Sequence, residues 1–331
     1  MSNVIQKDRE ARFAMANDFN PEKIKIGFLR AQMRSIKDEI NLLGMDSRFC
    51  YGMLTHYTNL QGLVGIVESG GYWLSDIRFL NDAKEFEHGR ELAQELIDKL
   101  ITRPRHKPFE AILQELKVAL NKPIQEPYFI ASFSRDPDSL EQWRAYASGS
   151  DGVAIVFENT PGVDNPFICE PRMHSSRAIY DEDKKKRLVL NAISRFSIEY
   201  KKELLQNKQS FSCFSDQWAQ HLLGVLTNAF ITFKHHAFRT ENEVRVVTSF
   251  GQICRSQGRV SHRVRAGRIV PYVSSTLFYG DLSARRPLPL REVIVGPVAA
   301  QSITIESVKA FLANSGYADV PVRPSSIPYR G

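Results

Sequence analysis

The sequence predicts an α+β fold with a mixed or antiparallel sheet. Segments that alternate like β-strands occur along the chain together with segments whose apolar residues lie three and four apart. The two kinds do not follow the regular strand–helix order that would favour a doubly wound parallel sheet. The 331 residues can bury a sizeable core, and 43% hydrophobic and 24% charged residues are ordinary values for a globular protein.

The first 48 residues predict a helical N-terminal extension. Asn20 suits a helix N-cap, and Pro21 suits the first helical turn. Apolar residues then form one stripe at steps of three and four, at Ile26, Leu29, Met33, Ile36, Ile40 and Leu43. We expect this stripe to pack on the body of the protein or on a second copy, which would give a homodimer.

Residues 49–331 predict a single α+β domain, in which residues 181–236 form a mostly helical insertion. β-Branched and aromatic runs predict strands at 53–57, 72–74, 128–134, 152–157, 243–248, 260–264, 268–273, 293–295 and 320–322, with a loop at 76–82. Helical spacing predicts helices at 60–67, 86–100, 140–147 and 305–313. The first of these helices begins after Asn59 as N-cap and ends at the segment Ser69-Gly70-Gly71.

Several classes of protein are disfavoured by what the sequence lacks. No run approaches 18 apolar residues and the polar N-terminus is not a secretory signal, so we expect a cytoplasmic protein without membrane association. The four cysteines lie far apart and form no C-x-x-C pair, which predicts reduced thiols and no metal site. No G-x-G-x-x-G, G-x-x-x-x-G-K-[ST] or G-x-S-x-G motif supports a Rossmann dehydrogenase, a P-loop NTPase or a nucleophile-elbow hydrolase.

Three short polar motifs on predicted strands carry the functional hypothesis. His56 stands in the first strand of the body, and Ser132 and Ser134 share one face of a later strand because side chains alternate. Glu241 and Glu243 are likewise expected on one side of a strand. Neighbouring carboxylates repel each other, so a strand tolerates them best at an open cleft or beside cations.

Each motif also has a structural alternative. His56 could be a core or turn histidine, and Ser134 could cap the turn that begins at Asp136. The two glutamates could form an edge-strand pair bridged to Arg239 and Arg245. The order of the motifs along the chain is what links them to one hypothesis.

Four long segments give the chain a family resemblance. They are LTHYTNLQGLVGIVESGGYWLSDIRFLNDAKEFEHG, FSRDPDSLEQWRAYASGSDGVAIVF, FKHHAFRTENEVRVV, and the tail pair REVIVGP with VPVRPSSIPYR. Together they resemble a bacterial domain family of unknown function over most of residues 51–330. More distantly, the order of His, Ser-x-Ser and Glu-x-Glu resembles NAD-dependent ADP-ribosyltransferases. That resemblance implies an ADP-ribosyltransferase-like sheet and cleavage of NAD at the nicotinamide–ribose bond.

The resemblance to ADP-ribosyltransferases also implies roles for the motif residues. His56 would contact a ribose hydroxyl of NAD, and Thr58 would add a second hydroxyl contact. Tyr57 would line the same pocket or point inward. Ser132 and Ser134 would brace the NAD pocket from the neighbouring strand.

The two glutamates would carry the chemistry in such an enzyme. Glu243 would bind the ribose beside the nicotinamide and stabilise the oxocarbenium-like charge as nicotinamide leaves. Glu241 would position or deprotonate the acceptor. The acceptor would be a nucleic acid, a protein or water. The resemblance implies a bacterial toxin or phage-defence setting.

Aromatic residues and an arginine would complete the NAD pocket. Tyr72, Trp73 and Tyr146 could stack on the nicotinamide or adenine ring, although an aromatic residue of this kind is more often part of the core. Arg144 could bind the pyrophosphate, because the guanidinium group matches phosphate geometry. NAD is therefore the expected co-substrate.

The distribution of charge points to a nucleic-acid partner. The net charge is +7, and the stretch from Val244 to Gly280 contains no Asp or Glu. That stretch carries Arg245, Arg255, Arg259, Arg263, Arg265 and Arg268. On one face these residues would attract phosphates, and the alternative is a solvated strand–loop–strand surface. The rival to an enzyme is thus a non-catalytic nucleic-acid-binding module or an interaction scaffold.

Overall fold

A computed structural model shows an α+β fold, as predicted, in which ten strands form one mixed, mostly antiparallel sheet. The structure describes residues 51–80, 83–123, 127–146, 152–160, 173–206, 215–256, 258–265, 267–278, 287–297 and 300–328. The predicted helical extension over residues 1–48, and with it the proposed dimer helix, lies outside these ranges.

The described elements follow one another in mixed order along the chain. The strands are β1 (Gly52–Asn59), β2 (Trp73–Asp76), β3 (Tyr128–Ser134), β4 (Gly152–Asn159), β5 (His174–Arg177), β6 (Glu243–Ser249), β7 (Ser261–Arg265), β8 (Arg268–Ser274), β9 (Leu290–Val295) and β10 (Val322–Pro324). The α-helices are α1 (Leu60–Ser69), α2 (Ala83–Ile101), α3 (Glu110–Leu120), α4 (Leu140–Tyr146), α5 (Glu182–Gln206), α6 (Ser215–Phe230), α7 (Phe250–Arg255) and α8 (Gln301–Asn314). Short 3₁₀ turns cover Ile77–Phe79, Pro104–Phe109, His236–Glu241 and Ser275–Phe278.

Most predicted strands and helices are present, with ends that differ by a few residues. Asn59 caps α1 through a bond from the Gly62 amide, and Gly70 ends the helix in the left-handed region at φ 68°. Helices α3 and α7 and strand β5 are not predicted by the sequence patterns. Helix α3 does have a clear apolar spacing, whereas β5 and α7 are too short for either periodicity to show.

The sheet is split at its centre. Strand β3 pairs along its whole length with β6 on one edge. Its other edge meets β2 near its start, at Phe129 and Ile130, and β1 at its end, at Ser134. Among the described strand pairs, none involves residues 131–133 along this second edge. The sheet therefore opens between β1 and β2 beside the middle of β3.

Different side chains cover the two faces of the sheet. On one face Leu54, Phe133 and Val244 belong to the main apolar core, together with residues of α1 and α8. On the other face Tyr57 packs edge-on against Trp143 of α4, with ring centroids 4.9 Å apart. The split thus lies between two well-packed regions.

Asp138 fixes the turn after β3 to the end of the chain. Its carboxylate accepts hydrogen bonds from the Trp143 indole at 2.8 Å, the Ser325 hydroxyl at 2.5 Å, and the Ser326 amide and hydroxyl at 2.7 and 2.8 Å. These bonds lower the pKa of Asp138 against the opposing effect of burial. The turn that leads away from the split is therefore tied to both α4 and the C-terminal segment.

No helix among the described residues combines the length and the apolar character needed to cross a bilayer.

Candidate functional site

The three predicted motifs lie on adjacent strands. Strand β3, which carries the serines, stands between β1 and β6. In the register Thr55 is opposite Ser134, and Ser134 is opposite Glu243. Since directly paired residues share a face, these three side chains form one row across the sheet. Ser132 is opposite Arg245 on the same face.

His56 lies at the split but outside this row. Its neighbour Thr55 belongs to the row, so alternation places His56 on the opposite face, with Phe133 5.6 Å away between ring centroids. Nδ1 of His56 lies 3.1 Å from the carbonyl oxygen of Ser132. A carbonyl only accepts hydrogen bonds, so Nδ1 is the donor and Nε2 is left as an acceptor in the neutral ring.

Burial lowers the pKa of His56. The bond to the Ser132 carbonyl acts in the opposite direction, and the positive charges of Arg263 and Arg265 lower the pKa further. The imidazole is therefore neutral at neutral pH. In the neutral ring Nε2 can accept a hydrogen bond. It therefore suits a hydroxyl donor such as a ribose better than a phosphate, which has no proton to donate.

Glu241 does not lie on the strand with Glu243, which corrects the sequence analysis. It is the last residue of the 3₁₀ turn, and β6 begins only at Glu243. Asn242 between them has φ 44°, in the left-handed region, which interrupts strand alternation. The two carboxylates nevertheless converge, because both are within ion-pair distance of Lys234.

A buried ionic network, which we call the Glu243 network, surrounds the predicted catalytic glutamate. Arg245 binds both Glu243 oxygens, Nε to Oε1 at 3.0 Å and Nη2 to Oε2 at 3.1 Å. Lys234 Nζ lies 2.8 Å from Glu243 Oε2 and 2.6 Å from Glu241. The side chains of Glu243 and Arg245 are 4% and 1% exposed. The network therefore satisfies the expectation that paired glutamates need cations, and it does so away from solvent.

Backbone carbonyls and a second carboxylate complete the Glu243 network. Arg245 also donates to the carbonyls of Ile231 and Phe233, and its Nη2 lies 3.7 Å from Glu85 of α2. The hydroxyl of Tyr180 accepts a bond from the Glu243 amide at 3.0 Å. These contacts link β6 to the segment after α6 and to α2.

The Glu243 network keeps Glu243 ionised. Burial raises its pKa, but the charges of Arg245 and Lys234 and their hydrogen bonds outweigh burial and lower it to about 2. The carboxylate is thus negative throughout the physiological range. Its charge is compensated by two cations in a region of low polarity.

The predicted cofactor-binding residues are only partly brought together. Ser132 and Thr58 are half-buried near the split. Tyr57 points inward, where its hydroxyl bonds to the Asp136 carbonyl and the Ser139 amide, and Tyr72 is a core residue. Ser134 donates to the carbonyl of Glu241 at 2.7 Å.

The two remaining candidates for the NAD pocket are Arg144 and Tyr146 of α4. Arg144 is exposed on that helix. The backbone of Tyr146 ends the helix, and its side chain lies outside the described residues.

An aromatic and cationic cluster, which the sequence analysis did not assemble, lies on β2, β7 and β8. The rings of Trp73 and Tyr272 are 4.4 Å apart. The Arg263 guanidinium lies 5.1 Å from the Trp73 centroid and 5.9 Å from that of Tyr272. It donates to the Ser75 hydroxyl at 2.8 Å. Of the residues in this cluster, only Trp73 and Arg263 are candidate site residues from the sequence. The cluster itself depends on the pairing of β2 with β8, which is not visible in the sequence.

The six arginines do not form one surface. Arg245 is buried in the Glu243 network, so it is unavailable to a nucleic acid. The others are exposed or half-buried, and they are Arg255, Arg259, Arg263, Arg265 and Arg268.

In the described part of the chain, no group of three or more His, Cys, Asp or Glu residues is arranged to hold a metal ion. An open groove of about 500 Å³ by Glu95, Asp98, Lys99 and Thr102 includes none of the predicted site residues.

Comparison with known proteins gives one match. Residues 142–246 match the model of a family described as Protein of unknown function (DUF2971). This range holds β6 from Glu243 to Val246 and the segment that carries Lys234 and Glu241. No curated protein and no solved structure is significantly similar to the chain. This match supports the predicted resemblance to a domain family of unknown function over residues 142–246.

Proposed function

We propose that the protein cleaves NAD at the nicotinamide–ribose bond and passes ADP-ribose to water or to a macromolecular acceptor. The observation that carries the proposal is the adjacency of β1, β3 and β6, which aligns Thr55, Ser134 and Glu243 in one row. His56 and Ser132, both half-buried, lie at the split beside this row. The Thr55 hydroxyl is buried without a hydrogen-bond partner among the described residues, which is consistent with a polar ligand at this place.

The reaction proposed at the row of Thr55, Ser134 and Glu243 is a heterolytic bond cleavage. The bond between the nicotinamide nitrogen and C1′ of the ribose breaks, and its electron pair leaves with nicotinamide. The ionised Glu243 carboxylate would stabilise the positive charge that develops on the ribose. The acceptor oxygen bonds to C1′ and gives up its proton, for which Glu241 is the candidate base because its side chain is the more exposed of the two, at 13%.

The proposal requires above all that a ribose hydroxyl can reach the Glu243 carboxylate. Within the described residues, Oε2 accepts from both Arg245 and Lys234, whereas Oε1 accepts only from Arg245 Nε. Oε1 therefore keeps a lone pair for a ribose hydroxyl. Arg245 and Lys234 would hold the carboxylate in position for that contact.

The proposal predicts nicotinamide release from NAD by the purified protein, measured by chromatography. The assay is run in buffer alone and with added RNA, DNA or cell lysate to supply acceptors. Glu243→Gln should lower the rate at least about 100-fold, because a neutral amide stabilises developing charge poorly. Ser132→Ala should raise the NAD concentration needed for half-maximal rate with a smaller effect on the maximum.

A matched control is Glu292→Gln. Glu292 on β9 also makes a bidentate pair, with Arg323 at 2.8 and 3.2 Å, but it lies two strands beyond Thr55, opposite Val156 of β4. This variant should keep the wild-type rate. The proposal fails if the folded wild type releases no nicotinamide under any condition, or if folded Glu243→Gln protein retains the wild-type rate.

A further inference from the structure

One face of the β7–β8 hairpin presents a row of arginines. In the register Arg265 is opposite Arg268, and Arg263 is opposite Val270. Arg263 and Arg265 are two residues apart, so all three arginines lie on the same face. Gly267, between the two strands, has φ 72°, in the left-handed region that glycine adopts without steric cost. We call this face, together with the rings described next, the arginine–aromatic face.

Farther from the hairpin turn, toward β2, the same face carries a pair of aromatic rings. Tyr272 is opposite Ser261 on β7 and Ser75 on β2, and Trp73 lies two residues from Ser75. Trp73 is 38% exposed, and its ring forms the visible end of the stack with Tyr272. A half-exposed tryptophan therefore borders a line of cations that spans one two-residue strand repeat, roughly 7 Å.

Arg263 joins the two parts of the face. It lies over both rings and is held by the Ser75 hydroxyl. Its Nε is buried and has no hydrogen-bond partner among the described residues. A buried N–H group of this kind costs free energy unless a partner binds to it, and an anionic oxygen is the partner that suits a guanidinium best.

The opposite face of the hairpin has a different character. There Val264 is opposite Ile269, and the two side chains are 78% and 66% exposed. A membrane surface would use these apolar side chains together with the arginines. The arginines, however, share their face with the aromatic pair and not with Val264 and Ile269, so a ligand that combines phosphates with planar rings fits the arrangement better.

We propose that the arginine–aromatic face binds single-stranded nucleic acid, with phosphates on Arg263, Arg265 and Arg268 and a base stacked on Trp73. Base stacking on an aromatic side chain is available only where bases are unpaired, which selects single strands over duplexes. Binding requires neither NAD nor the Glu243 network. The inference therefore stands or falls separately from NAD cleavage.

The test is fluorescence anisotropy with a labelled oligothymidylate of about 12 nucleotides, a length within the usual range for such surfaces. Arg265→Gln with Arg268→Gln should weaken binding and reduce the slope of log K against log[salt] by about 1.4, since each lost phosphate contact on a single strand removes about 0.7. Trp73→Ala should weaken binding roughly tenfold without changing the slope, and Trp73→Phe should restore most of it.

The charge-matched control is Lys186→Gln with Arg187→Gln. Both side chains are about half exposed on α5, at 49% and 59%, and lie outside the hairpin. This variant should bind oligothymidylate like the wild type. A control that loses as much affinity as the hairpin variant would overturn the proposal. So would equal binding of polyglutamate, or binding to anionic phospholipid vesicles without binding to the oligonucleotide.

Discussion

Replacement of Glu243 by Gln should lower the free energy of unfolding by about 3–5 kcal/mol. The change is nearly isosteric, but it leaves Arg245 and Lys234 as buried cations whose shared anion is gone. Removal of one member of a buried ion pair is costly because a charge is left without its partner. Here that charge is chiefly Arg245, since Lys234 keeps Glu241 at 2.6 Å and Glu85 lies 3.7 Å from Arg245. Urea unfolding at neutral pH, followed by circular dichroism, measures the effect.

Two other glutamates serve as internal comparisons for this experiment. Glu241→Gln removes one of the two carboxylates at Lys234 and should cost about 1 kcal/mol, since Glu243 remains to compensate the charge. Glu292→Gln breaks a partly exposed pair with Arg323 and should cost at most about 1 kcal/mol. If Glu243→Gln were no more destabilising than these variants, the Glu243 network would not be the tightly coupled unit that the distances indicate.

Acidification should destabilise the wild type through the same carboxylate. The pKa of Glu243 is about 2 in the folded protein against an ordinary value of 4.5, because Arg245 and Lys234 outweigh the effect of burial. A depressed folded-state pKa contributes stability that is complete above the unfolded value and is lost as pH falls through the folded value. The loss should therefore accumulate between about pH 4.5 and pH 2 and amount to a few kcal/mol.

The measurement is the urea midpoint of wild type and Glu243→Gln across that pH interval. The variant lacks the titrating group, so its stability should fall less steeply and the two curves should converge toward pH 2. Other carboxylates contribute to both curves, and the difference isolates Glu243. Parallel curves over the whole interval would show that the folded protein does not hold this carboxylate ionised.

The sequence predicted the strands that carry the candidate site, but not the surroundings of its residues. Alternation and turn residues located β1, β3 and β6 well enough to place the serines on one face. They could not show that His56 falls on the opposite face from Ser134, because that depends on which residue of β1 meets β3. A register shift of one residue would exchange the two faces, and the register is set by the whole sheet.

The contacts of the Glu243 network could not be predicted from the sequence either. Lys234 and Glu243 are nine residues apart, and their contact depends on the left-handed turn at Asn242. The acid-free stretch also grouped Arg245 with exposed arginines, since composition does not reveal that β6 lies between β3 and β5 and is buried on both faces. The aromatic pair of Trp73 and Tyr272 needed the β2–β8 pairing, which joins segments almost 200 residues apart.

The most direct test of the proposed function is a crystal structure with a non-hydrolysable NAD analogue. We expect the analogue at the split beside β3, with a ribose hydroxyl within about 2.7–3.2 Å of His56 Nε2 and the nicotinamide ribose in hydrogen-bond contact with Glu243 Oε1. An analogue bound away from β1 and β3, or no bound analogue at saturating concentration, would contradict the assignment of this site to NAD.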